Sequence, residues 1–135
     1  MKKESRIDLA MLLIRLSVGC VFVAHGSQKL FGLFNGIGLE GTARIVEGLG
    51  FHYAYVTAGI WGGVEFAGGI FIILGILVRF SSGAIAVTML IRMFKINLAY
   101  GFFFHNGGIE YNILVIAACI PLMLIGGGRW SVWDS

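Results

Sequence analysis

Charge, proline and cysteine are all scarce in this 135-residue chain, and each shortage removes a class of protein. Only 13% of residues are charged, about half the roughly 25% usual in a soluble domain. A soluble domain of this size keeps much of its surface in water, and a 58% apolar composition leaves too few polar side chains to cover it. That excludes a soluble globular enzyme, and the same apolar content excludes disorder. A single proline, Pro121, leaves long stretches in which nothing breaks a helix. The two cysteines, Cys20 and Cys119, form no Cys-x-x-Cys pair, so neither a dithiol redox site nor a zinc knuckle is indicated. The basic excess is small, at net +3, and most basic residues sit at the ends of apolar stretches or inside them, which argues against a nucleic-acid partner.

What the chain does have is long apolar runs punctuated by 21 glycines. A membrane-crossing helix takes about 20 residues, and the runs read as four: about 9–32, 54–78, 84–100 and 110–125. The expected fold is all-α, an integral membrane four-helix bundle forming one transmembrane domain over 1–135. Lys2, Lys3 and Arg6 before the first run resemble a signal peptide, but Arg15 interrupts the apolar stretch, so an uncleaved first helix is expected. Between helices one and two, Thr42 is placed to cap a short amphipathic helix carrying Ala43, Ile45, Val46 and Leu49, ended by Gly48 and Gly50. That helix is expected in the interface or folded back over the bundle mouth. Arg79, Ser81, Ser82 and Gly83 predict the turn between helices two and three, and Pro121 predicts a kink in the fourth.

Alternating the four helices puts Lys2, Lys3, Arg6, Arg79 and Arg129 on one side, which the positive-inside rule makes cytoplasmic. Both termini are then cytoplasmic and the lipid bilayer is the main partner. Trp130 and Trp133 read as an anchor on that side, and Arg15 as a residue that snorkels to the same interface near Asp8.

The remaining intramembrane charges all fall in the outer half. At about 1.5 Å rise per residue, His25, Lys29, Glu65, Arg92 and Lys95 lie about 5–15 Å below the outer edge, with Glu110 at the rim. His25 and Lys29 are four residues apart and share a face of helix one. Arg92 and Lys95 are three apart and share a face of helix three. Gly62, Gly68 and Gly69 flank Glu65 and let a neighbouring helix approach, which points Glu65 into the bundle. Two readings stand. In one, an ion-pair network fixes packing, with Glu65 satisfying Arg92 and Glu110 satisfying Lys29 or Lys95. In the other, the six residues line one outward-facing polar pocket whose surplus positive charge suits an anion or a polarised carbonyl. His25 and Glu65 are the candidate proton-transfer, catalytic residues, and Lys29, Arg92, Lys95 and Glu110 the candidate ligand-binding ones. No metal site is expected, because His52 and His105 fall in loops.

Three stretches resemble the DoxX family of small four-helix bacterial membrane proteins. Ala24-His25-Gly26-Ser27-Gln28-Lys29-Leu30-Phe31-Gly32, with Gly38-Leu39-Glu40-Gly41-Thr42-Ala43 after it, is similar to the first-helix signature. Gly62-Gly63-Val64-Glu65-Phe66-Ala67-Gly68-Gly69 through Leu74-Gly75-Ile76-Leu77-Val78-Arg79 is similar to the second, and Gly107-Gly108-Ile109-Glu110-Tyr111 to the start of the fourth helix. The resemblance implies a bacterial cytoplasmic (inner) membrane protein tied to oxidoreductases, to quinone chemistry and to oxidative stress. It marks His25, Lys29, Glu65 and Glu110 as motif residues, while Arg92 and Lys95 come from the depth argument alone.

The first functional reading is a quinone-related redox membrane protein or oxidoreductase subunit. Lys29, Arg92 or Lys95 would stabilise charge on a quinone oxygen, and His25 or Glu65 would supply protons. The chain carries no flavin, haem or dithiol motif, so this reading needs a redox partner protein as electron donor. The second is a non-catalytic scaffold, packing a partner or a second copy against small-residue surfaces such as Gly59, Gly63 and Ala67. A small-solute carrier, working as a dimer, is the third.

Overall fold

A computed structural model describes residues 2–133. Uninterrupted apolar sequence becomes uninterrupted helix. α1 spans Lys3–Phe31, α2 Gly38–Gly48, α3 Ala54–Leu74, α4 Val78–Arg92 and α5 Glu110–Ile125. α4 runs on without a break through a π-helical turn, Met93–Asn97, and a 3-10 turn, Leu98–Tyr100. α1, α3 and the continuous Val78–Tyr100 rod are each long and apolar enough to cross a membrane, and α5 is a shorter apolar helix. The chain is an all-helical membrane bundle, as its composition required.

α1 packs on α3, α3 on α4, α4 on α5, and α5 back on α1, closing a ring; α2 lies across α1 and α3. The ring encloses a dry core of Met11, Val18, Phe22, Ile72, Ile85, Met89, Val115, Cys119 and Leu122. Between α1 and α3 the contact is backbone-close. A Cβ on Gly26 would stand 2.5 Å from Phe66 N, and one on Gly69 would stand 2.8 Å from Gly19 O. Only glycine permits that approach.

Three local expectations change. The turn between α3 and α4 is not at Arg79–Gly83, which is helical, but at Gly75–Leu77. Gly75 takes φ +78°, the left-handed cap that glycine adopts freely. Ser82 stays in the helix by donating its hydroxyl back to Val78 O at 2.6 Å. Thr42 is not a cap either. α2 already starts at Gly38, and the buried Thr42 hydroxyl lies 2.8 Å from Gly38 O and 3.1 Å from Lys29 O, tying α2 to the end of α1. α2 buries Ala43 and Val46 against Ala58 of α3, so it folds back over the bundle.

The third concerns Arg15. It does not snorkel. It is 1% exposed and donates Nε to Ile72 O (2.9 Å), Nη2 to Ile73 O (2.8 Å), and Nη1 to Gly127 O (3.1 Å) and Trp130 O (2.8 Å). A guanidinium has five donors and no acceptor, so it matches the carbonyls a helix leaves unpaired at its C-terminus. Asp8 is engaged elsewhere: its Oδ1 accepts from the Arg129 amide at 3.0 Å. The C-terminal segment is further sewn on by Val132 N to Leu74 O and Trp133 N to Gly75 O, both 3.0 Å. These bonds gather Lys2, Lys3, Arg6, Arg79 and Arg129 with the exposed Trp130 and Trp133 at one basic end. The opposite end is aromatic, with Tyr53, Tyr55, Tyr100 and Phe102–Phe104 exposed.

Candidate functional site

The polar side chains expected together sort into three places near the aromatic end. The innermost is an ion pair. Lys29 Nζ on α1 donates to Glu65 Oε2 on α3 at 2.7 Å. Glu65 is fully buried, in the seam that Gly62 and Gly69 keep narrow. Its partner is therefore Lys29 and not Arg92. His25, one turn below Lys29 on the same face, lies with its ring 5.8 Å from that of Tyr111 on α5 and 6.2 Å from that of Phe22. Arg92 is half-buried on α4.

The second place is a cavity of about 160 Å³ between α2, α3, α4 and the π turn. Val46, Leu49, Ile60, Ile91 and Ile96 give it apolar walls, and half-buried Arg92 and exposed Lys95 border it. Two aromatic rings sit beside cations here. The Lys29 ammonium stands 4.8 Å from the centre of the Trp61 ring, and the Lys95 ammonium 5.9 Å from that of Phe51. Trp61 belongs both to the cavity wall and to the surroundings of the ion pair, so it partitions the two. Of the six residues expected in one pocket, only Arg92 and Lys95 line this cavity. The π turn that begins directly after Arg92 carries Lys95; single π turns recur at functional positions in helices.

The third place is the mouth. Glu110 is exposed at the first turn of α5, and its Oε2 accepts from the Phe104 amide at 2.9 Å. It satisfies neither Lys29 nor Lys95, but pins the Phe102–Phe104 loop. Asn97 Nδ2 holds the same loop through Gly107 O at 2.7 Å.

Sequence reasoning missed Tyr111. Its signal was position: it follows Glu110 in the first turn of an apolar helix, where a half-buried phenol reaches the bundle interior. Tyr111 Oη and Glu65 Oε1 are both buried with no hydrogen-bonding protein partner. Cys20 is exposed and Cys119 buried, so the two cysteines form no pair. Among the described residues no three His, Cys, Asp or Glu side chains gather as a metal-ligand group.

Membrane-length helices, a glycine-tight α1–α3 seam and charges gathered toward one end define a multi-pass helical membrane protein. The chain belongs to the DoxX family, whose pattern it matches over residues 10–105. It is 28% identical over 121 residues to a Bacillus subtilis (strain 168) protein called "Putative oxidoreductase CatD", covering 88% of this chain and 81% of that one. No solved structure matches it.

Proposed function

We propose that the chain is a quinone-related redox membrane protein or the membrane subunit of an oxidoreductase, and that the cavity beside Trp61 takes the ring of a quinone-like or aromatic anionic ligand. One observation carries this reading. Arg92 and Lys95 line an apolar cavity, and among the described residues neither makes a salt bridge. Arg92 is half-buried, and a half-buried charge beside apolar walls is costly unless a ligand or water relieves it. The dimensions fit, since an apolar cavity of about 150 Å³ accepts a benzene ring. A bound quinone would supply carbonyl oxygens that gain negative charge on reduction. Arg92 and Lys95 would turn their charged ends to that oxygen and stabilise the charge. Phe51 and Trp61 would flank the ring, and His25 and Glu65 would be the proton-handling groups. Electrons come from a partner protein. Membership of DoxX and likeness to a protein named as an oxidoreductase support the redox class. The basic end supports a place in the bacterial cytoplasmic membrane with both termini in the cytoplasm.

Trp61 itself reports on this site, because Trp130 and Trp133 are at the other end of the bundle. In a Trp130→Phe/Trp133→Phe protein, a short-chain quinone should quench Trp61 fluorescence saturably, and Arg92→Ala or Lys95→Ala should weaken that saturation at least tenfold. Quenching that rises linearly and ignores both substitutions sinks the reading.

The scaffold reading keeps one observation of its own. A Cβ on Gly59 or Gly63 would meet nothing within 4 Å, and with exposed Ala67 they form a small-residue strip on α3. If a partner helix packs there, Gly63→Leu abolishes complex formation and leaves Trp61 quenching intact.

A further inference from the structure

One face of α1 holds two partners from opposite sides of the ring. Lys29 engages Glu65 of α3, and His25 lies against Tyr111 of α5. Each partner then has one polar atom left over. Glu65 Oε2 is used by Lys29, but Glu65 Oε1 is buried with no protein group in hydrogen-bonding reach, and so is Tyr111 Oη. The two are chemically complementary, since a carboxylate oxygen only accepts and a phenol can donate. Both lie beside one stretch of α1, because His25 and Lys29, which meet Tyr111 and Glu65, are one turn apart on the same face. Two buried polar groups left unmade in an apolar bundle are a large penalty, and the carboxylate is the worse of them. Arg92 lines the cavity and makes no salt bridge to Glu65. Buried water relieves such groups when it finds two to four polar partners.

We propose that Glu65 Oε1 and Tyr111 Oη share a buried water site inside the helix ring, with Tyr111 as the positioning residue for Glu65. The water accepts from the Tyr111 hydroxyl and donates to the carboxylate. Glu65 is thereby satisfied on both oxygens, by Lys29 and by water, and Arg92 stays with the cavity wall. The site is separated from the cavity by Trp61, and it stands whether or not the cavity binds a quinone.

The sign of one substitution tests it. A phenol with no partner is a burden, so Tyr111→Phe would then leave the melting temperature in detergent unchanged or raise it. A phenol that holds water to Glu65 makes Tyr111→Phe lower it, by roughly 3–5 °C. In a cycle with Glu65→Gln, the two losses should be less than additive. Infrared difference spectra give a readout that packing alone does not move. The carboxylate band lost in Glu65→Gln should shift on exchange into D₂O, and Tyr111→Phe should remove that sensitivity. An unchanged or raised melting temperature for Tyr111→Phe overturns the proposal. So does a Glu65 band that ignores both D₂O and Tyr111.

Discussion

Lys29 Nζ stands 2.7 Å from Glu65 Oε2 and 4.8 Å from the centre of the Trp61 ring, so one ammonium closes the α1–α3 seam and backs the cavity wall. Removing one partner strands the other in an apolar seam. Glu65→Ala should therefore destabilise the bundle by roughly 3–5 kcal/mol. The double variant Lys29→Met/Glu65→Leu leaves no charge behind and should recover most of that loss. Thermal melts of the three proteins in one detergent decide it; a double variant as unstable as Glu65→Ala would show that the pair does more than neutralise itself.

Arg15 should be as sensitive as the ion pair. Arg15→Met leaves the Ile73, Gly127 and Trp130 carbonyls without their guanidinium donor and Ile72 O with only the Gly75 amide. The expected loss is on the order of 3 kcal/mol. Limited proteolysis should cut the C-terminal segment sooner in Arg15→Met than in the parent, and equal cleavage rates would contradict the bonding described.

Two glycines on neighbouring helices should respond in opposite directions. Gly26→Ala drives a methyl against the Phe66 backbone, an overpacking worth about 1–3 kcal/mol. Gly63→Ala meets open space and should be neutral or stabilising by up to about 1 kcal/mol through helix propensity. Comparable melting temperatures for the two variants would mean that the α1–α3 approach is looser than described.

The basic end makes a topological prediction. A C-terminal reporter that works only in the cytoplasm should be active, and one that works only after export should be silent. The opposite pattern would invert the bundle and place the Arg92–Lys95 cavity toward the cytoplasm.

The helices were legible because apolar runs this long have few alternatives in a chain so poor in charge. The α3–α4 turn was misplaced because Gly75-Ile76-Leu77 carries no polar punctuation, while Arg79-Phe80-Ser81-Ser82-Gly83 does. Serines that bond back to their own helix erase that signal. Glu65 was legible from the glycines around it, but its partner was not. Depth along a helix says nothing about which neighbour faces it, and the α1–α3 contact put Lys29 ahead of Arg92. Glu110 was read as part of the pocket because rim charges and pocket charges look alike in sequence; a backbone amide, which no side-chain pattern reveals, claims it. The same blindness hid Arg15, whose acceptors are carbonyls as many as 115 residues away.

That separation has a consequence for how the protein is made. α1 is synthesised among the first residues and meets the membrane with Arg15 in its apolar stretch. Two of the four carbonyls that receive its guanidinium belong to Gly127 and Trp130, 112 and 115 residues later. Until α3 is made the first helix carries an arginine without any of these acceptors, at a cost of roughly 2.5–3.5 kcal/mol if it reaches the bilayer centre, and until Gly127 and Trp130 are made it has only half of them. Residues that follow the last membrane helix complete the first. A chain truncated just before them keeps all its membrane helices and still lacks half of that lock.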